Sequence, residues 1–307
     1  MLVSVVLCHN LIAAETDLVL EEEVEASEEA SDEEGDEVSK AGGAIRTLTD
    51  LKIDFDQLKK YGTHKYVLKM PSGPAAALID SGSFTFANSV TKEHVVFKTV
   101  GKMIYTDESE DDEDDTMEYD TVSTATYKKS KSFPLVTYDF KLDVKYDGDL
   151  EAQNGNVKNE NGKFKLKFTE DGENTTGEME ASDGIFFDFS FLQIIPFVGK
   201  KSGDSCDLKK APTFIYDGFA FEDVTVTCRG AEKIKGVDCV KYELSQKDEE
   251  GKPHIQNSMW YSGNGVLAKY SDGDDTWVLL RADLSEVAEE DSDDESEDDD
   301  EENRKGP

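Results

Sequence analysis

Val136-Thr-Tyr138-Asp-Phe140-Lys-Leu142-Asp-Val144-Lys-Tyr146 places an apolar side chain at every second position, with polar residues between. Successive side chains of a strand point to opposite faces, so this period of two predicts a half-buried strand with one face on a core and the other in water. Phe164, Leu166 and Phe168 alternate with Lys163, Lys165 and Lys167 in the same way. Working outward, further strands are expected at 64–69, 94–105, 118–129, 175–181, 213–220, 222–230, 237–246, 255–262, 267–271 and 276–282. Asp147-Gly148, Asn154-Gly155, Asn161-Gly162, Asp171-Gly172, Glu250-Gly251 and Asp272-Gly273 are turn signals of the hairpin kind. Many strands with short hairpin turns predict an all-β protein: a strongly curved antiparallel meander sheet, a half-barrel or open barrel. Helix is sparse, limited to one or two short pieces within 47–61, where Leu48, Leu51, Ile53, Phe55 and Leu58 give a partly helical period, and within 186–197.

The chain has 307 residues, 69 of them Asp or Glu and 33 Lys or Arg, for a net charge of −36. The excess is local. Residues 1–44 hold 13 acids and one base, residues 286–307 hold 13 acids and two bases, and the run 107–115 holds 8 acids, which leaves 35 acids against 30 bases elsewhere. No basic face can dominate, so a nucleic-acid partner is excluded, because such binding needs cations that release phosphate counterions. Segments 15–44 and 286–307 contain too little apolar surface to offset ordering entropy and are expected to be disordered. Between them, 45–285 reads as a single β domain, with 107–115 as an acidic hairpin loop. Residues 1–14 form an apolar stretch ending in Ala13-Ala14, which fits the later part of a signal peptide lacking its positive n-region and suggests export. No stretch has the roughly 18 apolar residues of a membrane helix; the longest, 184–198, contains Asp188, Ser190, Gln193 and Pro196.

No catalytic motif is present. His64, His94 and His254 stand singly, without metal-ligand spacing, and no nucleophile elbow or phosphate loop occurs. The protein is therefore expected to be non-enzymatic, with no cofactor and no specific metal site. Asp107, Ser109, Asp111, Glu113, Asp115 and Glu118 match the ligand positions of a calcium loop, but Asp112 stands where the sharp turn needs glycine. Only diffuse calcium binding by the acidic tracts is expected. Gly263-Asn-Gly265 lacks the strand-then-helix context of a dinucleotide fingerprint and reads as a hairpin turn. Asn174-Thr175-Thr176 is a glycosylation sequon, and Ser31, Ser109, Ser292 and Ser296 precede acids that suit an acid-directed kinase. Of the four cysteines, Cys228 and Cys239 flank 230–236; a hairpin centred near Ile234 would set them opposite each other for a disulfide, and the other reading is two small buried hydrophobes.

The segment 206–284 runs Gly230-Ala-Glu-Lys-Ile-Lys-Gly236-Val-Asp-Cys239-Val-Lys-Tyr242-Glu-Leu244, then Met259-Trp260-Tyr261-Ser-Gly-Asn-Gly265-Val-Leu-Ala-Lys269-Tyr270, and finally Trp277-Val-Leu-Leu280. Over about a quarter of the chain this order resembles the C-terminal half of bacterial exported proteins and lipoproteins, similar to lipoprotein-carrier-like half-barrels and related uncharacterised periplasmic β domains. The resemblance implies a concave sheet whose inner face holds a lipid, an acyl chain or another apolar ligand. Phe186, Phe187, Phe189, Phe191, Leu192, Ile194, Ile195 and Phe197 then form a plug or wall over that sheet, with Trp260 as a further candidate contact. The other reading of the run is that its aromatics simply fill the core. The function expected is an exported binding or carrier protein for an apolar molecule, or a surface scaffold. The alternative is an acidic chaperone or matrix protein engaging basic proteins or calcium through its acidic tracts.

Overall fold

A computed structural model of the protein describes residues 45–72, 77–107, 115–146, 149–170, 172–211, 221–247, 251–272 and 277–285. The expected signal segment 1–14, the acidic segments 15–44 and 286–307, most of the loop 107–115 and the strand expected at 213–220 lie outside the described residues. The described residues hold 29 Asp or Glu and 30 Lys or Arg, so the excess negative charge belongs to the rest of the chain.

The described strands are β1 (Ile45–Thr47), β2 (Thr63–Ser72), β3 (Ala77–Val90), β4 (His94–Asp107), β5 (Asp115–Lys128), β6 (Leu135–Tyr146), β7 (Asp149–Glu160), β8 (Lys163–Glu170), β9 (Glu173–Glu180), β10 (Ile185–Phe186), β11 (Ser205–Lys210), β12 (Glu222–Ile234), β13 (Val237–Lys247), β14 (Pro253–Ser262), β15 (Leu267–Asp272) and β16 (Val278–Arg281). All belong to one curved, unclosed sheet, in the order β1-β11-β12-β13-β14-β15-β16-β2-β3-β4-β5-β6-β7-β8-β9. Strands β2 to β9 form one meander and β11 to β16 a second. They merge because β16 lies antiparallel to β2, from Val278 opposite Lys69 to Arg281 opposite Tyr66. At the far edge, β1 and β10 run parallel to β11, at 205–207 and 209–210 respectively. The expected all-β architecture is thus present, with short helices α1 (Phe55–Tyr61) and α2 (Ala282–Ser285) and 3-10 turns at Leu48–Asp50, Asp188–Gln193 and Ile195–Phe197.

Local chemistry accounts for these elements. In β6 the inward positions Leu135, Tyr138, Phe140, Leu142 and Val144 are buried, while Asp139, Lys141 and Lys145 are exposed. An irregularity opposite Thr126/Tyr127 shifts the register, so Leu135 rather than Val136 takes the last inward place. α1 begins where the Asp54 carboxylate accepts from the amides of Asp56 and Gln57 at 2.9 and 3.1 Å, and ends at Gly62 with φ 65°. It occupies only the second half of the helix expected across 47–61.

Five described strands, β1, β3, β7, β10 and β11, escaped the sequence reading, β3 and β7 being the longest. β3 carries Phe84 and Phe86 inward but places Leu78 and Ile79 outside and is small and polar between 80 and 83, and β7 is mostly polar along its length. Asn154-Gly155 is not a turn; it lies inside β7, with Gly155 paired to Phe140 on one side and Phe168 on the other. Glycine is needed there because a Cβ would sit 2.2 Å from the Phe140 ring. Asn161-Gly162, by contrast, is a hairpin turn, with φ values of 56° and 80° that suit Asn and Gly.

Candidate functional site

The segment 185–199 leaves β10 and crosses the inner face of the sheet as a plug. Phe186, Phe187, Phe191, Leu192, Ile194 and Ile195 are buried in the main core, and Phe189 and Phe197 pack against it. Phe187 stacks on Tyr138 with ring centroids 4.7 Å apart and meets Phe164 and Phe221 edge-on, each at 6.4 Å. Phe164 lies on β8 and Phe221 just precedes β12, so aromatic contacts join parts of the sheet that no backbone ladder connects. Phe189 packs against Phe84, Phe86 and Tyr270. Eight of the nine sequence-predicted contact residues therefore come together, and they do so by filling the core.

Polar bonds fix the plug in register. Tyr261 Oη donates to the Leu192 carbonyl at 2.8 Å, Tyr242 Oη to that of Gly199 at 2.6 Å, and Asn88 Nδ2 to Gln193 Oε1 at 3.1 Å. The amide of Phe187 donates to Tyr127 Oη at 3.1 Å, and that hydroxyl also meets Ser190 Oγ at 3.1 Å. Asp188 is buried, with φ 51°, a left-handed conformation that Asp tolerates better than most residues. Its carboxylate accepts from Ser123 Oγ, from the Thr99 hydroxyl and from the Phe189 amide. Burial nevertheless raises its pKa above the usual carboxylate value, opposing the hydrogen bonds and the distant Lys210 ammonium. Lys210 projects to the same side, its Nζ 5.9 Å from the centre of the Phe191 ring, and burial lowers its pKa.

Two expectations are corrected. Trp260 lies on the outer face, in a separate cluster with Cys239, Ala268, Leu280 and Leu284 of α2. Its ring is flanked by its cross-strand neighbours Lys241 and Lys269, with Nζ 5.3 and 4.6 Å from the centroid, so it cannot share a ligand with the plug. Cys228 and Cys239 are both free. The turn falls at Lys235-Gly236 rather than at Ile234, and a bulge follows Cys228, so Cys228 pairs with Tyr242 and Cys239 with Glu232. Cys228 faces the core and Cys239 the outer cluster. Burial raises the pKa of both thiols, and that of Cys206 to about 12, leaving them poor nucleophiles.

A second apolar surface on the inner face was not foreseen. Tyr119 of β5 and Leu142 and Val144 of β6 are buried together, apart from the main core, with Met103, Tyr105 and Met117 packed around them. These residues alternate along the end of β4, the start of β5 and the end of β6 that pairs with it. Met103 and Tyr105, then Met117 and Tyr119, stand at period two on either side of that loop, the one signal by which the sequence could have revealed them. Next to this wall on β7, Gln153 pairs with Leu142 and is 2% exposed. Elsewhere, a cleft of about 240 Å³ lies at the edge where β1 and β10 meet β11, bordered by Thr47, Leu48, Ser132, Gly184, Asp207 and Lys209. Among the described residues there is no group of three or more His, Cys, Asp or Glu placed to hold a metal ion, and no helix long and apolar enough to cross a membrane.

The fold and these surfaces define an all-β protein whose single open sheet wraps an internal aromatic plug and carries a second apolar wall beside it. No family model matches the chain, and no curated protein matches it. Among solved structures, the beta-barrel-like protein of domain of unknown function DUF1849 from Brucella abortus aligns with 71% of this chain and 93% of its own, at 12% identity and a TM-score of 0.44. A DUF1089 family protein from Pseudomonas aeruginosa aligns with 62% of this chain and 88% of its own, at 11% identity and a TM-score of 0.29. The fold assignment rests on the strand pairing described above and not on these likenesses.

Proposed function

We propose that the protein is an exported, non-enzymatic binding protein that takes an apolar ligand against the inner wall of β4–β6, beside the plug. The observation that carries this reading is the separateness of the wall. Tyr119, Leu142 and Val144 form a cluster of their own, which touches the main core through Met103, and the Met and Tyr side chains around them are only half-buried. Methionine and tyrosine suit such a role, the first because it adapts to irregular shapes and the second because it adds rigid area at low entropic cost. The plug residues are unsuited to direct contact, since their aromatic and polar partners are already engaged by the protein itself. The resemblance of 206–284 to lipoprotein-carrier-like half-barrels supports an apolar ligand on the concave face in general.

Nile red provides the test. It should bind saturably near one equivalent, with Leu142→Gln weakening it about tenfold, a loss of about 1.4 kcal/mol that is within the worth of one apolar side chain. Phe191→Leu in the plug should leave the affinity unchanged. Absence of saturable binding would point instead to a scaffold role, and sensitivity to Phe191 but not Leu142 would move the site to the plug.

A further inference from the structure

We infer that the ligand of this wall carries a hydrogen-bond donor at its head, as a long-chain alcohol or amine does, and is not a free fatty acid. This rests on the reading of the wall as the binding surface and specifies its ligand class. Gln153 lies beside the wall on β7, between Leu142 of β6 and Glu170 of β8 in the cross-strand register. Its Nε2 donates to Glu170 Oε1 at 3.2 Å. That bond fixes the orientation of the amide, because an ionised carboxylate can only accept and must therefore face the NH2 group. The other end, Oε1, is buried and has no hydrogen-bond partner. A buried acceptor without a donor is costly, and the cost is relieved when a ligand supplies an O–H or N–H.

The charges around it agree. Inward positions of β6 and β7 alternate with outward ones, which sets Glu151, opposite Val144, and Glu170, opposite Gln153, on the inner face. The described lysines of β4–β8, including Lys98, Lys102, Lys141, Lys145, Lys158 and Lys165, all fall on the alternate, outward positions. Lys210, on the inner face, lies at the plug over Phe191, where Glu222 and Asp188 act on it. An anionic head beside Gln153 would meet two carboxylates and an acceptor. A hydroxyl or ammonium would meet the open Gln153 acceptor on a face whose carboxylates favour it. Phe140 and Phe168, whose rings lie 6.0 Å apart on either side of Gly155, complete the apolar surroundings on the plug side of this amide.

The experiment is displacement of Nile red from the full chain in 0.5 M NaCl, which reduces the Debye length to roughly 4 Å and suppresses the general attraction of an acidic protein for cations. Four competitors of equal chain length are compared: dodecylamine, dodecanol, dodecyl methyl ether and laurate. The amine and the alcohol should displace the dye at concentrations at least tenfold below those needed for laurate, and dodecanol at least fivefold below its methyl ether, which lacks the donor. Gln153→Leu should abolish the difference between alcohol and ether. Glu170→Gln, at a half-buried position that tolerates the change, should narrow the gap between amine and laurate while leaving the fold intact. Equal displacement by alcohol and ether in the unaltered protein, or preference for laurate, would overturn the inference while leaving apolar binding itself standing. Failure of Nile red to bind at all would remove the underlying reading as well.

Discussion

Replacing Phe187 by alanine lowers the folding stability by about 3–5 kcal/mol, the cost of a fully buried aromatic whose site cannot collapse. Collapse is prevented because Phe187 is stacked on Tyr138 and meets Phe164 and Phe221 edge-on, three rings held by separate strands or loops. The effect should exceed that of other core truncations of similar volume, because this ring ties β8 to the approach of β12 across the part of the sheet that no ladder closes. Urea unfolding measures it as a lower midpoint. Leu150→Ala, at a position 65% exposed on β7, serves as the contrast and should change stability by no more than about 0.5 kcal/mol. A Phe187→Ala loss below about 1 kcal/mol would mean that the plug is not an integral part of the core.

Asp188→Leu should cost about 4 kcal/mol. The substitution strands the donors of Ser123, Thr99 and the Phe189 amide in an apolar interior, each at about 1–3 kcal/mol before relaxation, and it forces a leucine into a left-handed backbone. Asp188→Asn keeps an acceptor and the local conformational tolerance, so it should retain most of the stability. The pH dependence separates charge from geometry. Burial raises the folded pKa of Asp188 above its unfolded value, so its contribution is fully present below the unfolded pKa and is lost as pH rises through the raised folded one. The stability difference between the unaltered protein and Asp188→Asn should therefore shift in favour of the Asn variant as pH rises through that interval. A difference independent of pH would show that the carboxyl does not change its protonation there.

What could be read from residues alone follows from where burial is one-sided. β6 and β8 announce themselves because large apolar residues fill the inward places from Tyr138 to Val144 and from Phe164 to Phe168, with charged ones at the outward places between them. β7 does not: its inward positions are Glu151, Gln153, Gly155 and Val157, two of them polar because they border the wall and one of them glycine because Phe140 fills the space a Cβ would need. β3 is hidden by its Ser and Gly residues. The plug was legible as an apolar run but not as an occupant of the inner face, since its polar anchors, Ser123 and Tyr127, lie some sixty residues away in the chain. The pairing of β16 with β2, which turns two meanders into one sheet, leaves no local trace in either strand. The cysteine register failed for a smaller reason: one bulge and a turn displaced by little more than a residue are enough to send Cys228 and Cys239 to opposite faces.

Six methionines occur in the chain, and their positions make them native reporters of where a ligand sits. Met103 and Met117 border the wall, whereas Met259 is completely buried in the main core with the plug. With the methyl groups labelled by 13C, titration with dodecanol should shift the Met103 and Met117 resonances in a saturable way and leave Met259 in place. A shift of Met259 together with unmoved Met103 and Met117, or six resonances that do not respond, would contradict the assignment of the binding surface to the wall of β4–β6.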